Sequence, residues 1–306
     1  MDNTRGSILM VAAMAGFAIE DMFIKAASRA LPVGLILILF GLGGMIGFIL
    51  LTLRRGEPLV HPALLTRPLI LKAVFEVLGR LGYTLALALT PLSSASAILQ
   101  ATPLVVVAGA ALVFGEQVGW RRWLAILAGF AGVLVILRPG AAGFEPASLF
   151  AVLGMLGFAG RDLATRAAPK VLSNLQLGIY GFLALIPTGA VMLAFSGGAA
   201  MPGAADWGHL AGATLFGIAA YYWLTSAMRI GEVSVVTPFR YTRLVFAMIL
   251  GTLVFAERPD AATLVGSAIV IGSGLYTLMR ERRLARARRA GERREGERRA
   301  GAGRAA

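Results

Sequence analysis

From about residue 7 to residue 280 the chain is a succession of apolar runs separated by short polar breaks. Roughly ten runs of bilayer-crossing length leave little room for a soluble core of buried helices. Lipid offers no hydrogen bonds to exposed backbone, so such runs must be helices or the strands of a closed barrel. A barrel requires alternation of apolar and polar residues, and these runs are continuously apolar. The expected class is therefore an all-α polytopic membrane protein. The spans are placed at 7–28, 32–53, 69–89, 94–114, 122–138, 147–166, 174–195, 206–228, 233–255 and 261–280. The first is expected to be retained rather than cleaved, because Glu20, Asp21 and Lys25 interrupt what would be the apolar region of a signal peptide.

Composition adds exclusions. There is no cysteine, which removes disulfides and thiolate metal sites, and the two histidines, His61 and His209, are far apart in predicted connections. No metal site and no cofactor are expected. The net charge of +13 is uneven: from Arg280 onward eleven arginines stand against four acidic residues. A nucleic-acid partner is not expected for so apolar a body; a solvated tail that fixes topology is, with contact to anionic lipid headgroups compatible with it. With a cytoplasmic N-terminus, the inner segments hold ten basic residues before the tail: Arg5, Arg54, Arg55, Arg67, Lys72, Arg121, Arg122, Arg166, Lys170 and Arg229. The outer segments hold four, Lys25, Arg29, Arg138 and Arg258. This bias predicts both termini on the cytoplasmic side of a bacterial-type inner membrane.

One segment occurs twice. G-F-A-I-E-D-M-F-I-K-A-A (16–27) matches G-F-A-G-R-D-L-A-T-R-A-A (157–168) at an offset of 141, with six identities in twelve. A-L-V-F-G-E (111–116) matches T-L-V-F-A-E (252–257) in the same register, and Ser93 falls on Ser234. Two blocks in one register indicate an internal duplication. The stretch R-P-G-A-A-G-F-E-P (138–146) is the boundary, giving a first repeat over 1–140, a second over 141–280 and a basic, disordered cytoplasmic tail over 281–306. Five spans per repeat is an odd number, so the second copy enters the membrane in the opposite sense. That predicts an inverted-topology repeat, the usual basis of alternating access.

These residues carry a resemblance. P-L-S-S-A-S-A-I-L-Q-A-T-P-L (91–104), L-V-F-G-E (112–116) and G-F-A-G-V-L-V (129–135), with their second-half partners, resemble the EamA family of the drug/metabolite transporter superfamily. F-A-x-x-D-x-x-x-K (17–25) and P-F-R-Y-T-R-L (238–244) are similar to its bacterial S-adenosylmethionine uptake branch. The resemblance implies that spans 1, 3, 4, 6, 8 and 9 line a cavity and that spans 5 and 10 brace the fold.

Ionisable residues inside the spans mark candidate sites, since each isolated charge at mid-bilayer costs at least ~2.5–3.5 kcal/mol. They are Glu20, Asp21, Glu76 and Asp162 against Arg80, Arg161, Arg240 and Arg243. Glu76 and Arg80 are spaced i,i+4, either as a self-neutralising pair or with Arg80 reserved for a substrate anion. Arg240 and Arg243 share a face at i,i+3, awaiting a substrate anion or one of Glu20, Asp21 and Asp162. Asp21–Lys25 and Asp162–Arg166 are i,i+4 pairs present in both halves, which predicts gate or structural pairs. Glu20 and Arg161 occupy matching positions with opposite charge, which points to the cavity. Gln100 is placed to bond a ligand or a neighbouring helix. Tyr221, where the second half replaces Arg80, is placed to stack on a ligand or to sit in an interfacial belt with Tyr222 and Trp223. Pro103 and Pro238 predict kinks; Gly43-x-x-x-Gly47 and Ala128-x-x-x-Gly132 predict helix-packing faces.

No nucleophile–base set or phosphate loop appears, so no enzyme activity is expected. The function expected is secondary transport of a small charged or zwitterionic metabolite, amino-acid-like or S-adenosylmethionine-like. Export of drugs or other amphoteric metabolites is the alternative, and a non-transporting receptor or scaffold is the alternative of another class. The expected partners are the small-molecule substrate and the bilayer; a homodimer is left open.

Overall fold

The computed structural model describes residues 2–115, 119–138, 145–167, 171–196, 201–230, 236–276, 279, 280 and 283. Among these, every regular element is helical. The helices are α1 (Asn3–Ala27), α2 (Val33–Arg54), α3 (Arg67–Leu89), α4 (Leu92–Leu99), α5 (Thr102–Phe114), α6 (Trp120–Leu137), α7 (Leu149–Ala167), α8 (Asn174–Leu183), α9 (Leu185–Ser196), α10 (Ala204–Ile230), α11 (Thr242–Phe255) and α12 (Ala261–Tyr276). Short 3-10 segments precede α3, α7 and α11. Most of the basic tail, Glu116, Lys170, Ser234 and most of the boundary segment 138–146 lie outside the described residues.

Local chemistry sets these limits. Asp2 caps α1 by accepting from the Arg5 N–H at 3.0 Å. Ser173 and Gln176 form a reciprocal capping box on α8. Pro103 explains the interruption between α4 and α5: lacking an N–H, it cannot bond the Leu99 carbonyl, which instead takes the Thr102 hydroxyl at 2.5 Å. The expected fourth span is thus two helices hinged at Gln100–Ala101, the kink expected at Pro103. The ninth begins as a 3-10 segment, Thr237–Tyr241, that includes Pro238. The seventh is also divided, between α8 and α9.

Among the described residues, five helical stretches are long and apolar enough to cross a membrane: Asn3–Ala27, Val33–Arg54, Leu92–Val113, Pro146–Thr165 and Asn174–Ala194. Large apolar side chains stand exposed on their outer faces, such as Ile46, Leu50, Leu112 and Leu156. A surface of that kind is stable against lipid tails and not against water.

Helix pairing respects the duplication. α1 packs along α10, and α7 packs along α3. These contacts exchange when the two halves are exchanged, and the closest approaches match residue for residue. Gly16 lies against Ala220, and Gly157 lies against Gly79, at the 141 offset in both cases. A Cβ on Gly157 would collide with the Gly79 backbone, so the repeated glycine is there to let two helices touch. α2 packs on α8 and α9, a contact that maps onto itself. Gly43 and Gly47 face Thr214 and Ile218 of α10, and Gly132 faces Gly266 of α12, as packing faces should.

Candidate functional site

The ionisable residues of α1, α3, α7 and the start of α11 converge in the interior. Asp21 Oδ2 accepts from Arg243 Nη2 at 2.7 Å and Nε at 3.1 Å, and from the Tyr83 hydroxyl at 3.1 Å. Tyr83 also meets the Ser96 hydroxyl at 3.1 Å. Glu20 Oε1 accepts from Arg80 Nη1 at 2.5 Å. Both carboxylate side chains are fully buried, at 0% exposure. The guanidiniums are sandwiched by aromatic rings: Arg243 lies 5.1 Å from Phe17 and 5.3 Å from Tyr83, and Arg80 lies 5.1 Å from Phe40. Ring faces stabilise a cation that has lost its water.

The second carboxylate cluster is more accessible. Arg161 Nη1 reaches Glu76 Oε1 at 3.3 Å, while its Nη2 and Nε reach Asp162 Oδ1 at 2.8 and 3.0 Å. Lys72 donates to Glu76 Oε2 at 3.2 Å. Arg240 approaches Asp162 Oδ2 only to 3.8 Å, and both of these side chains are 26% exposed. Gln100 Nε2 donates to the carbonyls of Arg240 and Tyr241 at 3.2 and 3.1 Å, tying the hinge of one half to the 3-10 segment of the other.

Several expected pairings are corrected. Glu76 and Arg80 do not neutralise each other: Glu76 takes Lys72 and Arg161, and Arg80 takes Glu20. Asp21 and Lys25 do not pair: Asp21 takes Arg243, and Lys25 belongs to a separate lock. Asp162 takes Arg161 and Arg240; the side chain of Arg166 lies outside the described residues. Asp21, Lys25 and Arg80 thus take partners from other elements, and Glu76 adds Arg161 of α7 to Lys72 of its own helix, because a desolvated charge needs short, well-aligned donors. Lys72 is a buried interior residue at 7% exposure, not a residue of the inner connection. Arg240 and Arg243 do not share one α-helical face, since Arg240 lies in the 3-10 segment and each serves a different aspartate. Tyr221 packs edge-on against Phe48, ring centres 5.3 Å apart, while Tyr222 accepts from exposed Arg55 at 3.0 Å.

The lock around Lys25 joins four elements. Its ammonium donates to the Leu87 carbonyl at 3.1 Å and to the Thr90 carbonyl at the end of α3, and lies 3.6 Å from Glu257 Oε1. Glu257, just after α11, accepts from the Leu92 and Ser93 N–H groups at 2.7 and 3.1 Å and from the Ser93 hydroxyl at 3.0 Å. A cation thus closes the carbonyl end of α3 and an anion closes the N–H end of α4, both favoured by the helix dipoles. Tyr83, Ser96 and Glu257 were not among the residues singled out from sequence. Glu257 carried a signal, since it ends the second duplicated block in the register that links Ser93 to Ser234.

Summed over described interior side chains, four carboxylates (Glu20, Asp21, Glu76, Asp162) face five cations (Lys72, Arg80, Arg161, Arg240, Arg243). The surplus is positive, and Arg240 is its most weakly engaged member. Such a set of paired charges between apolar helices is costly in lipid and marks this interior as the candidate functional site.

Residues 4–138 and 146–279 each match the model of the EamA-like transporter family. The chain belongs to the EamA family. The resemblance seen in its motifs therefore holds across both halves. The chain is 29% identical to a riboflavin transporter of Rhizobium johnstonii, over 70% of this chain and 71% of that protein. It is 27% identical to an S-adenosylmethionine uptake transporter of Rickettsia bellii, over 76% of each. It is 27% identical to the pseudopaline exporter CntI of Pseudomonas aeruginosa, over 87% of this chain and 93% of that protein. These EamA relatives are named as transporters and not as enzymes.

Proposed function

We propose that this EamA protein is a secondary transporter of ten spans, built as two inverted five-helix repeats and working by alternating access. Its substrate is a small charged or zwitterionic metabolite, amino-acid-like or S-adenosylmethionine-like. It lies in the inner membrane with both termini in the cytoplasm. The observation that carries this reading is the interior charge network, which crosses from the first repeat to the second at Asp21–Arg243 and at Gln100–Arg240. Charges so placed need compensation in lipid, and a network shared between halves is broken and remade when the halves move.

The contrast between the two clusters supports one conformational state. The Glu20–Asp21 cluster is sealed and the Lys25–Glu257 lock is closed, whereas Asp162 and Arg240 are accessible. With the orientation given by the positive-inside bias, that state is closed outward and open inward. Lys25 then belongs to an outer gate, with Asp162 and Arg166 at the inner end.

Purified protein in proteoliposomes tests the reading. Counterflow of labelled S-adenosylmethionine or of an amino acid that is lost in Arg240→Ala supports it. Ligand binding without flux favours a receptor or scaffold. Export is the second reading of direction, favoured by the CntI relationship, which spans 87% of this chain. Proton coupling through Glu20 belongs to the same proposal; flux indifferent to an imposed pH gradient removes that part.

A further inference from the structure

The two copies of the duplicated aspartate are in different states. Asp21 is fully buried, with Arg243 at 2.7 Å and Tyr83 at 3.1 Å on the same oxygen. Asp162 spends Oδ1 on both nitrogens of Arg161, and its Oδ2 faces Arg240 at 3.8 Å, beyond hydrogen-bonding distance. Among the described residues the Arg240 guanidinium makes no hydrogen bond, although Gln100 fixes its backbone at 3.2 Å. Among the described residues, Asp162 Oδ2 and the Arg240 guanidinium therefore stand side by side without a hydrogen bond, on side chains that are each 26% exposed.

We infer that the Arg240–Asp162 pair is a docking site for an α-amino-acid head group, with the carboxylate on Arg240 and the ammonium on Asp162 Oδ2. The inference refines the transport reading above and rests on it for the site being a solute site at all. A simple anion would satisfy Arg240 but would face the Asp162 oxygen, and a simple cation would face the guanidinium. Only a molecule carrying both signs a few ångströms apart satisfies both groups. The carboxylate oxygens and ammonium nitrogen of an α-amino acid are ~3 Å apart, which matches the opening between the partners. Arginine presents parallel donors that suit a carboxylate in bidentate fashion, and the interior surplus of one cation makes the carboxylate the anchoring half. Asp21 cannot act in the same way: its Oδ1 has no hydrogen-bond partner among the described residues, but the side chain is sealed from solvent.

Thermal unfolding of the detergent-purified full chain tests this with defined probes: the twenty amino acids, S-adenosylmethionine, decarboxylated S-adenosylmethionine, the methyl esters of any amino acids that stabilise, and riboflavin. A ligand of the native state raises Tm by mass action. The expected result is stabilisation by at least one probe with a free head group, with about tenfold or more weaker apparent affinity for its decarboxylated or esterified partner. Arg240→Gln and Asp162→Asn should each erase that discrimination, and Arg240→Lys should restore part of it. The ligand-side comparison needs no variant, so it stands even if a substituted protein fails to fold. Stabilisation confined to riboflavin, no stabilisation by any head-bearing probe, or discrimination unchanged in both variants overturns the inference. Riboflavin counterflow with no head-bearing ligand would sink the inference and leave transport standing. Head-dependent binding without counterflow would do the reverse.

Discussion

Asp21 and Arg243 are 222 residues apart in the chain and 2.7 Å apart in the fold, joining the first duplicated motif to the start of α11. Both are withdrawn from water, so each is tolerable only because the other is present. Removing one partner of such a pair typically costs about 3–5 kcal/mol, because the survivor is left charged and unsolvated. Asp21→Asn and Arg243→Gln are each expected to lower Tm severely. The double variant should lose clearly less than the sum, as a double-mutant cycle on the melting transition would show. Additive losses would mean that the pair is not coupled.

The lock at Lys25 gives a conformational prediction. Glu257→Ala removes the acceptor of two N–H groups at the start of α4 and the charge beside Lys25. Loss of such a cap costs about 0.5–2 kcal/mol, enough to shift a two-state gate by about 2- to 30-fold. The chain contains no cysteine, so Ser96→Cys supplies a single label site, and Ser96 is only 1% exposed. Labelling of that cysteine by a membrane-impermeant maleimide should be faster with Glu257→Ala than without it. Equal rates would remove the lock from the gate.

A backbone asymmetry between the repeats predicts a stabilising change. α5 ends on Gly115 at φ 65°, and the equivalent position after α11 is Ala256 at φ 54°. Left-handed geometry costs a residue with a Cβ roughly 1–2 kcal/mol, and glycine nothing comparable. Ala256→Gly should therefore raise stability by up to about 1 kcal/mol, and Gly115→Ala should lower it by a similar amount. Thermal melts of the two variants read opposite signs if this holds.

Outside the spans, Asp260 predicts a pH dependence. Its bond with the Arg138 guanidinium, together with the Thr263 N–H at 2.8 Å, holds its carboxyl down to about 2. A carboxyl lowered in the folded state stabilises above its unfolded value near ~4, and that contribution fades as pH falls toward about 2. The side chain is 49% exposed, so solvent screening limits the effect to less than about 1 kcal/mol. Asp260→Asn should lower Tm slightly at pH 7, and the gap should close as pH falls from 4 to 2. A gap independent of pH would assign the effect to helix capping alone.

The sequence by itself determined much of this protein. Long apolar runs require helices in lipid, the 141 offset reveals two halves, and the charges at 20, 21, 76, 80, 161, 162, 240 and 243 single out the residues that the fold gathers in its interior. Periodicity and register suffice for those conclusions because they are local or repeated properties of the chain. Only the tertiary structure decided which charges meet. Glu76 and Arg80, or Asp21 and Lys25, are neighbours by helical spacing, yet each takes a partner from another helix, because the short contacts a buried charge requires depend on how helices cross. Lys72 was hidden among residues counted as a connection, and Tyr83 and Ser96 resembled ordinary span residues. The repeated G-F-A-x-x-D segment reads in sequence as a charged motif. In the fold its glycine sets the helix crossing, while its aspartate is fully buried in one half and partly exposed in the other, a difference that identical letters cannot encode.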